Sequence, residues 1–104
     1  MTMAISFSEK QLVDFCRRWK IQELSAFGSV LRDDFTPESD VDILATFDEN
    51  AGWGLGEHGM MQEELSGLFG RKVDLVSLNG LEKSRNWIRK KEILEHRERI
   101  YAAG

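Results

Sequence analysis

Residues 27–44 read FGSVLRDDFTPESDVDIL, and this stretch decides both the fold and the candidate site. An apolar segment ends in the pair Gly28-Ser29, ten residues intervene, and Asp40 and Asp42 then flank a valine where a second apolar segment begins. On an extended chain, residues two apart point to the same face, so the two carboxylates share one face. Like charges on one face repel, so a purely structural explanation must say why the repulsion is tolerated.

Apolar spacing on either side of this stretch predicts alternating helices and strands. The pattern Ser8-Glu9-Lys10-Gln11 precedes apolar residues three and four apart, which predicts a capped amphipathic helix. The other predicted elements are strands over residues 21–27, 40–47 and 71–78, a helical turn at 30–35, a helix over 57–69, a turn at Asn79-Gly80 and a helical tail over 81–101. This order predicts one domain, residues 1–104, of the α+β class: an α/β two-layer arrangement with a small mixed β-sheet flanked by helices.

Length and composition limit the classes of protein to which the chain can belong. A chain of 104 residues has room for one core, and 41% hydrophobic with 31% charged residues is ordinary for a soluble globular protein. No apolar run approaches the roughly 20 residues of a membrane span, and the start, MTMAISFSEK, lacks the features of an export signal. The lone cysteine, Cys16, cannot form an internal disulfide. We therefore expect a cytoplasmic protein with no membrane partner.

Charge is unevenly distributed along the chain, although the net charge is only −4. Residues 81–101 contain seven Lys/Arg and four Glu, whereas the preceding part contains seven Lys/Arg and fourteen Asp/Glu. Because phosphate neutralisation drives non-specific nucleic-acid binding, an acidic body argues against direct binding of DNA or RNA. The basic tail has two interpretations, a solvated helix face or a dock for an acidic partner.

A third carboxylate, Asp74, interrupts the predicted strand at 71–78, where Asp is disfavoured. If the second and third strands are neighbours, Asp40, Asp42 and Asp74 can converge at one end of the sheet. Such a cluster repels itself unless a cation neutralises it, and Mg²⁺ prefers oxygen ligands. The alternative is that Asp40 and Asp42 simply begin a strand after a turn, with Asp74 exposed on an edge.

The pair Gly28-Ser29 supplies a second chemical element, since it lies between a predicted strand and a predicted helical turn. Free backbone N–H groups at such a junction favour anions, and glycine lets a phosphate approach closely. The alternative is a plain turn in which Ser29 caps the helix. A phosphate-binding turn together with a carboxylate–metal cluster favours nucleoside triphosphate chemistry.

The combination of Gly-Ser, ten residues, Asp-x-Asp and a later strand Asp resembles the signature of the nucleotidyltransferase superfamily with the DNA-polymerase-beta-like fold. The short chain is similar to the minimal nucleotidyltransferases, the antitoxins of HEPN/MNT toxin–antitoxin modules, over about residues 7–101. The resemblance implies that Gly28 and Ser29 bind the triphosphate of ATP, and that Arg32 approaches either the phosphates or the toxin. It further implies that the carboxylates of Asp40, Asp42 and Asp74 are catalytic and bind Mg²⁺. Asp33 stands where relatives often have glycine.

The resemblance also implies a reaction and a partner. AMP would pass from ATP to a tyrosine hydroxyl of a cognate HEPN toxin, a ribonuclease that is thereby silenced, so we expect a hetero-oligomer with that toxin. Asp74 could serve as a base or only as a ligand. One alternative is an antitoxin that neutralises its toxin by binding alone, with a vestigial nucleotide site. Another is a nucleotidyltransferase with a small-molecule or RNA acceptor.

Other aromatic, sulfur-containing and glycine residues have simpler interpretations. We expect Cys16, Trp19 and Trp87 to be packing residues, whereas Trp53 could either pack or stack on a base. The glycines of residues 54–59 match GxGxxG but lie too far after a strand for a dinucleotide fold. We expect them to form a flexible lip beside the site.

Overall fold

The computed structural model describes residues 7–28, 39–48 and 51–103. Its elements in chain order are α1 (Glu9–Arg18), β1 (Ile21–Phe27), β2 (Val41–Phe47), α2 (Leu55–Phe69), β3 (Val73–Ser77), α3 (Leu78–Glu82), α4 (Trp87–Glu95) and β4 (Arg97–Ala102). Within these three ranges, no helix has the length and apolar character needed to cross a membrane. The helical turn predicted at 30–35 lies outside the described residues.

The four strands form one mixed sheet in the order β3-β2-β1-β4. β1 pairs antiparallel with both β2 and β4, whereas β2 and β3 run parallel. The parallel pair needs a crossover, which α2 supplies. The prediction of a small mixed sheet with helices around it is confirmed, and so is the expectation that the second and third strands are neighbours.

One face of the sheet, here called the first face, holds the larger core. Alternate residues of β2, namely Val41, Ile43 and Ala45, are completely buried there. They pack against apolar side chains from α1 and α2, including Phe15 and Leu65. The start of α1 and the end of α2 lie where the sequence indicates: the Ser8 hydroxyl accepts a hydrogen bond from the Gln11 N–H (3.3 Å), and Gly70 ends α2 with φ +71°.

The opposite face, here called the second face, has a smaller core and carries the candidate carboxylates. Phe27 and Leu44 are buried on it against Leu81 of α3 and Ile93 of α4. Asp42 lies two residues before Leu44 and therefore projects from the same face. The helices α3 and α4 cover part of this face, and among the described residues a cavity opens beside them at the end that holds Asp42.

The prediction of one helical tail over residues 81–101 is wrong. The segment forms the end of α3, all of α4, and the strand β4, which pairs with β1 along the edge of the sheet. The strand is charged because it is an edge: Arg99 projects to solvent and pairs with Glu23 (3.8 Å), while Ile100 and Tyr101 pack against the larger core. An edge strand tolerates charged side chains, and these side chains deter pairing with other chains.

Two boundaries also differ from the prediction. Asn79-Gly80 lies inside α3 rather than in a turn, because the Ser77 hydroxyl caps that helix by accepting from the Gly80 N–H (3.0 Å). The cap directs Leu81 into the smaller core, where it is 4% exposed. α2 begins at Leu55, two residues earlier than predicted, and the Glu57 side chain accepts from the Gly54 N–H (2.7 Å) at its start.

Candidate functional site

Asp42 and Asp74 lie side by side across the parallel strands β2 and β3. They are direct register partners, so their side chains leave the sheet on the same face from strands about 4.8 Å apart. Asp42 is half-buried and Asp74 is exposed on the edge strand. Two carboxylates in register repel each other in the absence of a cation. A cation bound between the two carboxylates would offset this repulsion.

Gly28 lies on the side of Asp42 that faces away from Asp74, because β1 and β3 pair with opposite edges of β2. Phe27 at the end of β1 is the register partner of Asp42, and Gly28 follows it with φ +75°, a conformation that favours glycine. A Cβ atom on Gly28 would overlap Asp42 Oδ2 and would lie 3.4 Å from Asp42 Cγ. Glycine is therefore required for two reasons, its backbone conformation and the closeness of the carboxylate.

A cavity of about 1140 Å³ opens over Gly28 and Asp42 on the second face. Its other walls come from α4 and the start of β4. Among the lining residues are Asn86, Arg89, His96 and Arg97, together with the acidic residues Glu92, Glu95 and Glu98. The volume is slightly above the roughly 300–1,000 Å³ that is typical of small-ligand sites.

The position of Asp40 follows from the backbone pairing of β2 with β3. The Val41 N–H donates to the carbonyl of Lys72 (2.9 Å), which ties the start of one strand to the start of the other. Asp40 immediately precedes this hydrogen bond and is half-buried. Ser29 and Arg32, the other predicted triphosphate-binding residues, lie outside the described residues.

The donor chemistry of the site suits a hard cation, since Asp42 and Asp74 offer carboxylate oxygens from adjacent strand positions. Within residues 7–28, 39–48 and 51–103, no group of three or more His, Cys, Asp or Glu side chains is arranged to hold a metal ion. The structure thus brings two of the predicted ligands side by side. A three-carboxylate cluster that includes Asp40 stays a prediction.

Sequence reasoning missed the contribution of α4 and β4 to the cavity. Arg97 is the register partner of Phe27, which places it in one row across the sheet with Asp42 and Asp74. Arg89 enters the cavity wall from the first turn of α4. The basic composition of the tail is visible in the sequence, but reading the tail as one helix gave no reason to place these cations beside Asp42.

The expectations for the tryptophans and the glycine-rich loop have mixed outcomes. Trp53 packs: its Nε1 donates to the carbonyl of Trp19 (2.7 Å), and the two rings meet edge to face at 5.3 Å. Trp87 is 67% exposed, so the prediction that it packs is wrong. The predicted lip at 54–59 is also wrong, because Gly54 lines a separate cavity of about 670 Å³ at the opposite end of β2, beside Phe47.

Cys16 belongs to the core, as expected. Its side chain is completely buried within the larger core. Burial disfavours the thiolate and raises the pKa of the thiol to about 12. A thiol with such a pKa is a poor nucleophile, which supports a packing role.

Two proteins similar in sequence are named as adenylyltransferases. A provisionally named protein adenylyltransferase of Methanocaldococcus jannaschii is 38% identical over 60 residues, or 58% of this chain and 60% of that protein. The protein adenylyltransferase MntA of Thermococcus cleftensis is 38% identical over 64 residues, or 62% of this chain and 63% of that protein. Both alignments span less than two thirds of the relative's length.

Solved structures show the same architecture. A chain provisionally named a minimal nucleotidyltransferase has a TM-score of 0.64 at 28% identity, covering 86% of this chain and 85% of that one. A chain from a complex of a tri-AMPylated HEPN toxin with an MNT antitoxin of Shewanella oneidensis has a TM-score of 0.62. That match covers 91% of this chain and 70% of the other at 18% identity, so it bears on the fold alone.

The family assignment comes from comparison with known protein families. Residues 8–100 match the family described as "Nucleotidyltransferase domain". The matched range contains the strands that carry Gly28, Asp42 and Asp74, together with α4 and most of β4. Because the match extends over nearly all of its 104 residues, this chain belongs to the nucleotidyltransferase domain family.

Proposed function

We propose that this protein is a Mg²⁺-dependent adenylyltransferase that transfers AMP from ATP to a tyrosine of a cognate HEPN toxin and thereby acts as its antitoxin. The names of the similar proteins support AMP transfer to a protein. The complex of an AMPylated HEPN toxin with an MNT antitoxin supports the choice of partner.

One observation carries the proposal: Asp42 lies against Gly28 on one side and beside Asp74 on the other. The lack of a Cβ atom on Gly28 lets the Asp42 carboxylate lie against the turn that we propose for the phosphates, so the oxygen ligands and that turn are at the same place. Each group has an ordinary structural explanation alone. Their juxtaposition, with Gly28 and Asp42 lining one cavity and Asp74 next to Asp42, favours a site for a metal-bound nucleoside triphosphate.

In the proposed reaction, the tyrosine oxygen attacks the α-phosphorus of ATP, the bond to the β-phosphate breaks, and pyrophosphate leaves. Bound Mg²⁺ supplies Lewis-acid stabilisation of the phosphoryl group during this exchange. Asp40, Asp42 and Asp74 are the proposed ligands. Gly28, Ser29 and Arg32 are the proposed contacts to the triphosphate. The hydroxyl proton passes to a base, for which Asp74 is our candidate because it is exposed beside Asp42.

The test uses the purified protein, Mg²⁺ and the HEPN-domain product of the adjacent reading frame. With ATP labelled at the α-phosphate, we expect label on a tyrosine of the partner, and with ATP labelled at the γ-phosphate we expect none. Mass spectrometry should show one AMP or more per modified tyrosine. Label transfer from the γ-phosphate would identify a kinase and contradict the proposal.

A second candidate function is neutralisation of the toxin by binding alone. Its specific support is that a similar solved structure contains an MNT antitoxin in complex with a HEPN toxin. A tight complex that carries no label, and that forms equally well with Asp40→Ala/Asp42→Ala, would establish this function in place of AMP transfer.

A further inference from the structure

The first turn of α4 exposes two large apolar side chains. Trp87 is 67% exposed and Ile88 is 62% exposed, whereas Ile93 of the same helix is 4% exposed in the smaller core. Single exposed apolar residues are normal on a protein surface. An adjacent tryptophan and isoleucine form a larger apolar patch, and tryptophan is among the residues that contribute most to protein interfaces.

The patch is held in a fixed position by the cap of α4. The Asn86 side chain accepts a hydrogen bond from the Arg89 N–H (3.1 Å), which fixes the helix start that bears Trp87 and Ile88. The Lys90 ammonium donates to the carbonyl of Glu82 (3.0 Å) and so ties α4 to α3. A partner would therefore meet a preorganised surface, and binding would lose little conformational entropy at this patch.

The patch is continuous with the candidate catalytic cavity. Ile88 lines that cavity together with Arg89, and the same cavity contains Gly28 and Asp42. A macromolecule that delivers a reacting group to Asp42 along this wall must pass over the start of α4. Trp87 lies next to Ile88, outside the cavity, where it can contact the body of such a macromolecule.

The charge around the patch indicates the chemistry of the partner. Residues 85–91 contain four cationic side chains (Arg85, Arg89, Lys90 and Lys91) and no acidic one, although the whole chain has a net charge of −4. An acidic protein surface would complement this segment. A nucleic acid is disfavoured because its binding depends on neutralising many phosphates, and the chain as a whole carries a net charge of −4.

We infer that Trp87 and Ile88, with the cations of residues 85–91, form the docking surface for the protein that accepts the nucleotide. That protein presents an apolar side chain surrounded by carboxylates, and its acceptor hydroxyl enters the cavity past Ile88. The inference rests on the proposed function for the role of the cavity.

The experiment measures complex formation separately from AMP transfer. The probe is the HEPN-domain product of the adjacent reading frame, titrated into the full chain by calorimetry without ATP. We expect Trp87→Ala to weaken binding by about thirty-fold or more, because truncating a hot-spot tryptophan costs roughly 2 kcal/mol or more. Arg85→Glu should weaken binding at low salt and have a smaller effect at high salt. The matched control is Leu55→Ala/Met60→Ala, which removes exposed apolar side chains from α2 (93% and 59% exposed) and should bind like the wild type.

The outcomes separate the inference from the proposed function. Equal affinities for wild type and Trp87→Ala would overturn the inference, even if AMP transfer proceeds. Loss of binding in Trp87→Ala without AMP transfer by the wild type would uphold the docking surface and refute the proposed function. Binding of a single-stranded RNA oligonucleotide that depends on Trp87, with no binding of the HEPN protein, would assign the surface to nucleic acid and overturn the inference. Because Trp87 is exposed, unchanged thermal unfolding should show that the variant folds.

Discussion

The carboxylate of Asp42 lies against the backbone of Gly28 across the β1–β2 pair, so close that a Cβ atom on Gly28 would overlap it. The left-handed Gly28, which follows β1, and Asp42 near the start of β2 therefore form one compact unit. The ten residues between Ser29 and Asp40 separate two parts of the sequence whose ends meet in space. Changes at either residue should affect the other.

Gly28→Ala should lose at least about a hundred-fold in AMP transfer, because the new Cβ would displace the Asp42 carboxylate by contact. The control is Gly70→Ala, which has nearly the same φ (+71° against +75°) but no atom within 4 Å of its Cβ. Both variants should lose about 1–2 kcal/mol of stability from backbone strain, and Gly28→Ala should lose more because of its clash with Asp42. The measurements are label transfer to the HEPN protein and urea unfolding. Equal transfer by both variants would show that the contact with Asp42 is unimportant.

Removing one carboxylate of the Asp42–Asp74 pair should abolish stabilisation by magnesium. Asp42→Asn and Asp74→Asn each remove one of the two carboxylates, and Asp74→Asn, which relieves a like-charge pair at an exposed position, should unfold at an equal or higher temperature than the wild type without metal. Saturating Mg²⁺ should raise the unfolding temperature of the wild type by several degrees, since about 2.7 kcal/mol is gained at a hundred times the Kd. Thermal unfolding with and without Mg²⁺ tests this.

Asp14→Asn serves as the control for the magnesium experiment. Asp14 is exposed on α1 and pairs with Arg18 (3.5 Å), so its loss removes an acidic group without touching the second face. The magnesium-induced shift should persist in this variant. A shift of the same size in Asp42→Asn would instead mean that magnesium binds elsewhere.

Glu64 should contribute stability that disappears in acid. Its carboxylate accepts hydrogen bonds from Arg18 and from Trp19 Nε1 (3.1 Å), which links α2 to α1. The Arg18 hydrogen bond lowers the pKa of Glu64, so the stabilisation is present above the ordinary carboxyl pKa and is lost as pH falls through the lowered value. Because both side chains are partly exposed, Glu64→Gln should cost only about 0.5–1 kcal/mol at pH 7.

Urea unfolding at pH 7 and pH 3 tests the role of Glu64. The free-energy difference between wild type and Glu64→Gln should shrink in acid, whereas Glu63→Gln, an exposed neighbour, should be near neutral at both values. A difference that is the same at both pH values would assign the stabilisation to packing of the side chain.

Cys16 should make the protein less stable in strong base. The folded pKa of about 12 exceeds the ordinary value of 9.0, so the neutral thiol stabilises the fold fully below pH 9. That contribution is lost as pH rises from 9 toward 12. Cys16→Ala should be less stable near neutral pH because it leaves a cavity in the core. Its deficit should narrow above pH 9, by at most about 1.4 kcal/mol per pH unit. Urea unfolding at pH 8 and 10.5 checks this, and a constant deficit would contradict it.

The candidate site was predictable where its chemistry is local. Apolar residues stand on both sides of Asp42 and of Asp74, which marks each as a strand residue. Because these apolar neighbours point into the core, each Asp must lie on the opposite face of the sheet. Gly28 was recognisable because it ends an apolar strand at a point where the backbone must turn. By contrast, Arg97 gave no such signal, since its place beside this row depends on pairing with β1, about 70 residues earlier in the chain.

The sequence by itself determined the helices α1 and α2, the strands β1 to β3, and the residue types that can bind a phosphate and a cation. Periodicity and caps suffice there, because each element is specified by neighbours within a few turns. Only the tertiary structure decided which parts of residues 81–101 are helix and which are strand. A charged segment such as RERIYA has no strong preference of its own, and hydrogen bonds from β1 made it a strand. That pairing placed α4 over the second face and brought the exposed Trp87 to the edge of the cavity.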